Sequence, residues 1–262
     1  MRILFIGDVF GRVGRRVLKQ GLNNAVSLYK ADFVVANGEN LAGGFGITRE
    51  TVEELFALGV DVITSGNHIW DKKEALGLLE TKRNILRPAN YPSRAPGHGS
   101  GVFSTKSGKP VGVINLQGRV FMDAIDCPFA AAEAELAKIA GEAKVILVDI
   151  HAEATSKKIA MGLMLDGRVS AIMGTHTHVQ TADAKILPRG AAYISDAGMT
   201  GPSHSIIGIR PDVIMKRFLQ KLPERFEEAM GPGQLNAVVV EADEQTGQAK
   251  TIEPLQVNYP EA

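Results

Sequence analysis

Apolar runs of strand length alternate with longer segments of helical character along most of the chain. Runs such as Ile3–Ile6, Phe33–Ala36 and Val145–Val148 are apolar at every position, which is typical of strands covered on both faces. The segments between them, including Val13–Tyr29 and Pro128–Ala140, have helix-like patterns. This alternation of strand and helix predicts a layered α/β fold.

The last third of the chain has a different pattern, in which short strand-like runs are separated by turns. These runs are Ala184–Leu187, Ala191–Ser195, Leu235–Glu241 and Thr251–Leu255. One helix at about 211–222 interrupts them, and Gln245–Gln248 has the composition of a hairpin turn. We therefore expect a more antiparallel second sheet here. No repeat, low-complexity segment or linker divides the sequence, so we expect a single domain over residues 1–262.

Composition places the chain among ordinary globular proteins. It has 262 residues, of which 45% are hydrophobic, with 29 basic and 29 acidic side chains. A formal net charge of zero gives no strong signal for a nucleic-acid polymer, so an anionic ligand needs a local site. Cys127 is the only cysteine, and no apolar stretch reaches the roughly 18 residues of a membrane span. We expect a cytoplasmic protein with no membrane partner. Whether it forms a homo-oligomer stays an open question.

Polar residues of a few types follow five of the apolar runs directly. The five segments are Gly7-Asp8, Asn37–Asn40, Ser65–His68, Asp149–Glu153 and Gly174–His178. The carboxyl ends of strands in an open α/β sheet form the edge where ligands bind. We therefore expect these side chains to meet at one rim, which would gather four of the six histidines of the chain.

The residue types in these segments suit divalent metal ions. The candidates are Asp8, Glu39, Asn67, His151, His176 and His178. A mixture of imidazole, carboxylate and amide donors favours intermediate ions, and six donors exceed the three or four that one ion takes from protein. Two ions about 3.5–4 Å apart with a bridging carboxylate would use them all. The alternative, separate core hydrogen bonds for each histidine, explains a lone histidine better than this set.

The same segments resemble the ordered motifs of the calcineurin-like metallophosphoesterases. The resemblance is carried by Gly7-Asp8, Asn37-Gly38-Glu39-Asn40, Gly66-Asn67-His68, His151 and Gly174-Thr175-His176-Thr177-His178. It covers roughly residues 1 to 200, and the Gly-Asn-His and Gly-x-His-x-His pieces are the most specific. The resemblance implies an α/β/β/α sandwich with mixed sheets.

Two departures from the superfamily pattern narrow the resemblance. The usual Asp-x-His opening is Asp8-Val9-Phe10, so one histidine ligand is absent, and Glu39 stands where the bridging residue is usually Asp. Together with the segments at 149–156 and 174–181, these features resemble a bacterial branch that contains 2′,3′-cyclic-nucleotide 2′-phosphodiesterases. The similarity to that branch extends along the whole chain.

The resemblance implies two ions, iron or manganese, bridged by Glu39. One would be held by Asp8, Glu39, Asn40 and His178, with Asn40 in place of the absent histidine. The other would be held by Glu39, Asn67, His151 and His176. His68 would be the general acid, because imidazole changes charge near neutral pH and such proton transfer contributes about 10²–10⁴-fold. A hydroxide bridging the metals would attack phosphorus in line, and cleavage of the 2′ ester would leave a 3′-phosphate.

The leading hypothesis is a hydrolase of small nucleotide phosphodiesters, and two alternatives stay open. A phosphomonoesterase or nuclease is possible on the same scaffold, because fold and metals do not fix the substrate. A nucleotide-binding regulatory protein that retains metals but turns over slowly is the other. The absent Asp-x-His histidine keeps this last option open.

Two further residues are candidates for substrate binding. Phe45, in Gly43-Gly44-Phe45-Gly46, follows the Glu39 segment and is either part of a wall that stacks on a base or part of a surface turn. Thr200 lies in the segment at 196–202, which follows a strand and is either another rim loop or an ordinary connection.

Overall fold

The computed structural model describes residues 1–260, which form two sheets and six α-helices. The strands are β1 (Arg2–Ile6), β2 (Asp8–Val9), β3 (Phe33–Asn37), β4 (Val62–Thr64), β5 (Ser100–Ser104), β6 (Pro110–Gln117), β7 (Val145–His151), β8 (Ala171–Thr175), β9 (Lys185–Ile186), β10 (Ala192–Ile194), β11 (Met199–Pro202), β12 (Gly233–Ala242) and β13 (Ala249–Tyr259). The helices are α1 (Gly11–Tyr29), α2 (Arg49–Ala57), α3 (Glu74–Thr81), α4 (Pro128–Ile139), α5 (Thr155–Leu165) and α6 (Pro211–Gln220), and Asn67–Trp70 forms a 3₁₀ helix.

Both sheets mix parallel and antiparallel strands. The first has the order β2-β11-β12-β1-β3-β4, with β13 paired to β12. In it β1, β3 and β4 are parallel, whereas β12 is antiparallel to β1. The second has the order β5-β6-β7-β8-β10-β9, in which the four inner strands are parallel and the two edge strands are antiparallel to their neighbours.

Three apolar cores hold four layers together. Side chains of β1 alternate, so that Leu4 and Ile6 face α1, α2 and α3, whereas Ile3 and Phe5 face the second sheet. The second sheet in turn packs its other face on α4 and α5. Strands buried on both faces explain the continuous apolar runs. The α/β/β/α sandwich with mixed sheets is confirmed.

The four runs predicted in the last third, which correspond to β9, β10, β12 and β13, are strands, but the expectation that they form a sheet of their own was wrong. The structure places β9 and β10 in the second sheet and β11, β12 and β13 in the first. The reason is that β12 is apolar on both faces and pairs with β1 in the middle of a sheet. A run that is apolar on both faces does not reveal which sheet it joins.

Local sequence accounts for the starts of α2 and α4. Thr48 and Thr51 form a reciprocal capping box at the start of α2, and Pro128 occupies the first turn of α4. Within residues 1–260, no helix is both long enough and apolar enough to cross a membrane.

Candidate metal centre

The expected ligands come together at an edge that both sheets share. Asp8 lies in β2 just beyond β1, Glu39 and Asn40 follow β3, and Asn67 begins the 3₁₀ helix after β4. His151 ends β7, and His176 and His178 follow β8. The site therefore draws on two facing sheets, whereas sequence patterning alone pointed to one rim.

Two groups of potential metal ligands overlap at Glu39. One contains Glu39, His151 and His176, and the other contains Asp8, Glu39 and His178, with ligand atoms in each group within 4.8 Å of one another. His151 Nε2 lies 3.2 Å from Glu39 Oε2 and 3.0 Å from His176 Nδ1. A carboxylate shared between two groups is an arrangement suited to divalent cations.

Unpartnered oxygen atoms show that the residues fit such ions. Asp8 Oδ1 and Asn67 Oδ1 are buried and make no hydrogen bond. A buried oxygen without a partner costs about 1–3 kcal/mol, and both atoms belong to residues at this centre. Gly66 packs directly against the cluster, because a Cβ at this position would collide with the His151 ring and the Glu39 carboxylate.

The electrostatics of the cluster favour a cation. Burial raises the pKa of Asp8 well above its ordinary value, with His151 opposing this and Glu39 adding to it. Burial alone would lower the pKa of His151, but the charges of Glu39 and Asp8 raise it to about 9. Burial, followed by the charge of His151, lowers the pKa of His176 to about 3. Although burial opposes it, the charge of His151 lowers the pKa of Glu39, so His151 supplies the positive charge that a divalent ion would otherwise supply to this carboxylate.

Each of the three histidines in the two ligand groups points one ring nitrogen at the cluster. The other ring nitrogen contacts a partner that fixes the ring. His151 Nδ1 lies 3.0 Å from the Thr175 hydroxyl. His178 Nδ1 lies 2.9 Å from the backbone oxygen of Ile207. His176 Nε2 lies 3.4 Å from a carboxylate oxygen of Glu153. Partners of this kind orient metal-binding histidines and set which nitrogen carries the proton.

A buried ion pair holds the loop that carries His176 and His178. Lys158 and Asp196 are fully buried and lie 2.9 Å apart, and Asp196 also accepts hydrogen bonds from the amide and hydroxyl of Thr177. The loop needs this support because His176 and His178 have φ values of 104° and 66°. Non-glycine residues in that region cost of order 1–3 kcal/mol.

Asn40 reaches the cluster through its amide nitrogen. Its Nδ2 donates to Glu39 Oε1 at 3.0 Å and lies 3.3 Å from His178 Nε2. Ligation of an ion through the amide oxygen therefore requires the amide group to turn over.

His68 lies at the mouth of the cluster. Its backbone amide donates to Glu39 Oε2 at 3.1 Å, and its Nδ1 lies 2.8 Å from Asp71 Oδ2. The Phe45 ring meets the His68 ring edge-on, with centroids 5.0 Å apart. The Asp71 contact fixes the ring and leaves Nε2 available.

A cavity of about 440 Å³ opens over the cluster. Phe45 and His68 line it together with Glu39, Asn40, His176 and His178. Phe45 is therefore part of a cavity wall, and its stacking on a base stays a prediction. Thr200 does not line the cavity, because it is fully buried in β11 and its hydroxyl donates to the Asn236 backbone oxygen at 3.0 Å.

Sequence reasoning gave no role to several residues of the site, although Asp149, Glu153 and Thr175 lie in segments that it placed at the rim. The residues without a role were Asp71, Asp149, Glu153, Thr175, Asp196 and Phe226. Asp149, two residues before His151 in an otherwise apolar strand, is the one with a clear sequence signal. It is fully buried and accepts hydrogen bonds from Thr64, Thr175 and Asn37.

The layered fold and the cluster at its strand ends place this chain in the class of the metallophosphoesterases. Residues 4–255 match the model of the YmdB-like protein family. A 2′,3′-cyclic-nucleotide 2′-phosphodiesterase of Bacillus subtilis (strain 168) is 48% identical to this chain over 98% of it and 97% of that protein. The chain belongs to the YmdB-like protein family.

Solved structures agree with this membership. A hypothetical protein from Thermus thermophilus has a TM-score of 0.93 and 41% identity, with 99% of this chain and 100% of that one covered. A novel phosphatase from Mycoplasma pneumoniae has a TM-score of 0.93 and 35% identity, with 100% and 94% covered.

Proposed function

We propose that this chain is a metal-dependent phosphoric diester hydrolase that converts 2′,3′-cyclic nucleotides to 3′-nucleotides. One observation carries the proposal: two groups of potential metal ligands share Glu39, and Glu39 lines the cavity. The 48% identity to the Bacillus subtilis phosphodiesterase supports the substrate class.

The proposed ligands divide into two sets. Asp8, Glu39, Asn40 and His178 would hold one ion, and Glu39, Asn67, His151 and His176 the other, with iron or manganese as the expected metals. Bound ions would supply an activated water and neutralise the charge that develops on the phosphate.

His68 is the proposed proton donor to the departing 2′ oxygen. His68 lines the cavity, and its Nδ1 is occupied by Asp71, so Nε2 is the ring nitrogen that remains to donate to a substrate. Asp71 fixes the ring, and the Phe45 edge limits its rotation. Proton transfer by a positioned imidazole contributes about 10²–10⁴-fold.

Metal analysis combined with hydrolysis assays tests the proposal. Purified protein is assayed for metal and for turnover of a generic aryl phosphodiester, a monoester, and 2′,3′- and 3′,5′-cyclic nucleotides. We expect about two ions per chain, preference for the 2′,3′-cyclic diester, and loss of activity in Asp8→Ala. One ion or none at saturating metal contradicts the two-metal arrangement, and binding without turnover supports a regulatory protein instead.

His68→Ala separates proton donation from metal binding. We expect kcat to fall by about 10²–10⁴-fold while metal content stays at the wild-type level. His98→Ala is the matched control, because His98 is exposed and outside both ligand groups. Equal loss of metal and turnover in His68→Ala would make His68 a structural residue.

A further inference from the structure

The cavity over the metal centre has a second wall that is entirely apolar in its side chains. Six side chains form this apolar wall: Phe10, Phe45, Ile207, Ile209, Ile214 and Phe226. The proposed reaction needs none of them for proton transfer or metal binding. A wall of this size beside a phosphate-binding centre points to a non-polar part of the ligand.

Phe226 is a partly exposed member of the apolar wall. Its ring stacks on that of Phe45, with an interplanar angle of 16° and centroids 6.3 Å apart. The Arg217 guanidinium lies 4.7 Å from the Phe226 ring centroid. The Phe226 side chain is 36% exposed, so part of its ring remains available to a ligand.

The chain around Phe226 is anchored to the loop that forms the rest of the wall. The Arg210 amide donates to the Glu227 backbone oxygen at 3.0 Å, and the Ala229 amide donates to that of Gly208 at 2.8 Å. The connection after α6 is thus tied at 227–229 to residues 208–210. Phe226 is thereby held beside the loop that carries Ile207 and Ile209.

The apolar wall has little capacity to read hydrogen-bonding patterns. Its six side chains carry no donor or acceptor. In the loop behind it, Ile206 and Ile209 exchange backbone hydrogen bonds of 2.9 and 3.0 Å, and the Ile207 oxygen is taken by His178. A planar ligand can therefore be held here by its faces but not identified by its edge.

We propose that Phe226, with Phe45, forms a subsite that stacks the nucleobase of the substrate and accepts purines and pyrimidines alike. This subsite rests on the proposed function, because it places the base next to the phosphate centre. Base stacking on aromatic side chains is tolerant of sequence, since every base presents a π-face.

The test compares cyclic nucleotides with a diester that has the same reacting group but no base. Wild type and Phe226→Ala are assayed on the four nucleoside 2′,3′-cyclic phosphates and on methyl ribofuranoside 2,3-cyclic phosphate. We expect Phe226→Ala to raise KM for the nucleotides by about 5- to 150-fold with a much smaller change in kcat. The base-free diester should lose far less, and Phe226→Tyr should restore nucleotide binding.

Phe218→Ala is the matched control. Phe218 lies on α6 and is 57% exposed, but it does not line the cavity. We expect no change in either substrate class, which separates the subsite from a general effect on α6. Calorimetric binding of nucleoside 3′-monophosphates should weaken in Phe226→Ala and not in Phe218→Ala.

Three outcomes would overturn the subsite. Equal losses on nucleotides and the base-free diester would make Phe226 a structural residue. A preference above about 100-fold among the four bases would mean that the base edge is read. Equal wild-type efficiency with and without a base would remove the subsite but leave the diesterase intact, whereas no turnover of either class would refute the proposed function itself.

Discussion

The two walls of the cavity are built from different parts of the fold. The metal-centre wall is the one formed by the cluster around Glu39, whose side chains lie at or just beyond the ends of buried strands. His151, His176 and His178 in this wall are each fixed by a second contact. The apolar wall consists of side chains from loops and α6, and Phe226 is one-third exposed. Groups that do chemistry need fixed geometry, whereas an apolar stacking surface tolerates adjustment. The contrast predicts that small changes in the metal-centre wall impair function more than similar changes in the apolar wall.

The largest effect should come from filling the space behind the metal centre. In Gly66→Ala the added methyl group would overlap the His151 ring and the Glu39 carboxylate, which belong to the shared ligand groups. We expect metal affinity to fall by more than the roughly 100-fold that loss of an outer-shell partner costs. Metal competition with a chromogenic chelator measures it.

Gly77→Ala is the control for that substitution. Gly77 lies in α3 with open space around the position of a Cβ. Alanine is favoured over glycine in a helix by roughly 0.5–1 kcal/mol, so the variant should be slightly more stable and bind metal normally. Normal metal affinity in Gly66→Ala would show that the wall can yield, and the contrast between the two walls would disappear.

An intermediate effect should follow from removing one hydroxyl behind His151. Thr175→Val keeps the shape but leaves His151 Nδ1 and Asp149 Oδ1 without this partner. We expect about 10- to 100-fold weaker metal binding and about 1–3 kcal/mol lower free energy of unfolding. Chelator competition and urea unfolding measure the two quantities.

Thr200→Val separates these two consequences. Thr200 is also fully buried in a strand, and its hydroxyl bonds only to the Asn236 backbone in the described structure. We expect a similar loss of stability with metal affinity unchanged. If both variants lost metal affinity alike, general destabilisation and not the His151 contact would be responsible.

The smallest effect should come from Glu153, at the solvent side of the same wall. Glu153→Ala removes the carboxylate beside His176 Nε2, but its side chain is 47% exposed, so water can replace it. We expect metal affinity to fall by less than about 10-fold. Nitrogen-15 spectra of histidine-labelled protein should show a larger share of the tautomer protonated at Nδ1.

Glu153→Gln sharpens the result, because the amide oxygen can still accept from Nε2. It should retain most of the wild-type affinity, and Glu133→Ala, on the surface of α4, should retain all of it. A loss in Glu153→Gln equal to that in Glu153→Ala would assign the effect to charge and not to orientation of the ring.

The sequence predicted which residues gather in the cluster better than it predicted their surroundings. Asp8, Glu39 and His151 were identifiable because parallel strands deliver their carboxyl-end residues to one edge. The roles of Phe226 and Glu153 were not predicted, because their contacts with Phe45 and His176 exist only once distant segments pack together.

The strands were likewise predicted only in part. Continuous apolar runs such as β1 and β7 were identified with small errors at their ends. β5 was missed because it is an edge strand that is half exposed and rich in serine and glycine. β2 and β11 were missed because they are very short and pair only with each other and with β12.

The pairing of β1 with β12 has a consequence for the order in which the molecule is made. All the proposed ligands lie between residues 8 and 178, but β1 pairs Arg2 with Glu241. A nascent chain whose last ligand has just been synthesised therefore still has one edge of β1 unpaired. Pairings between residues so distant in sequence form slowly. Metal capture should thus be a late event after synthesis, and loss of the C-terminal strands should abolish a site to which they contribute no ligand.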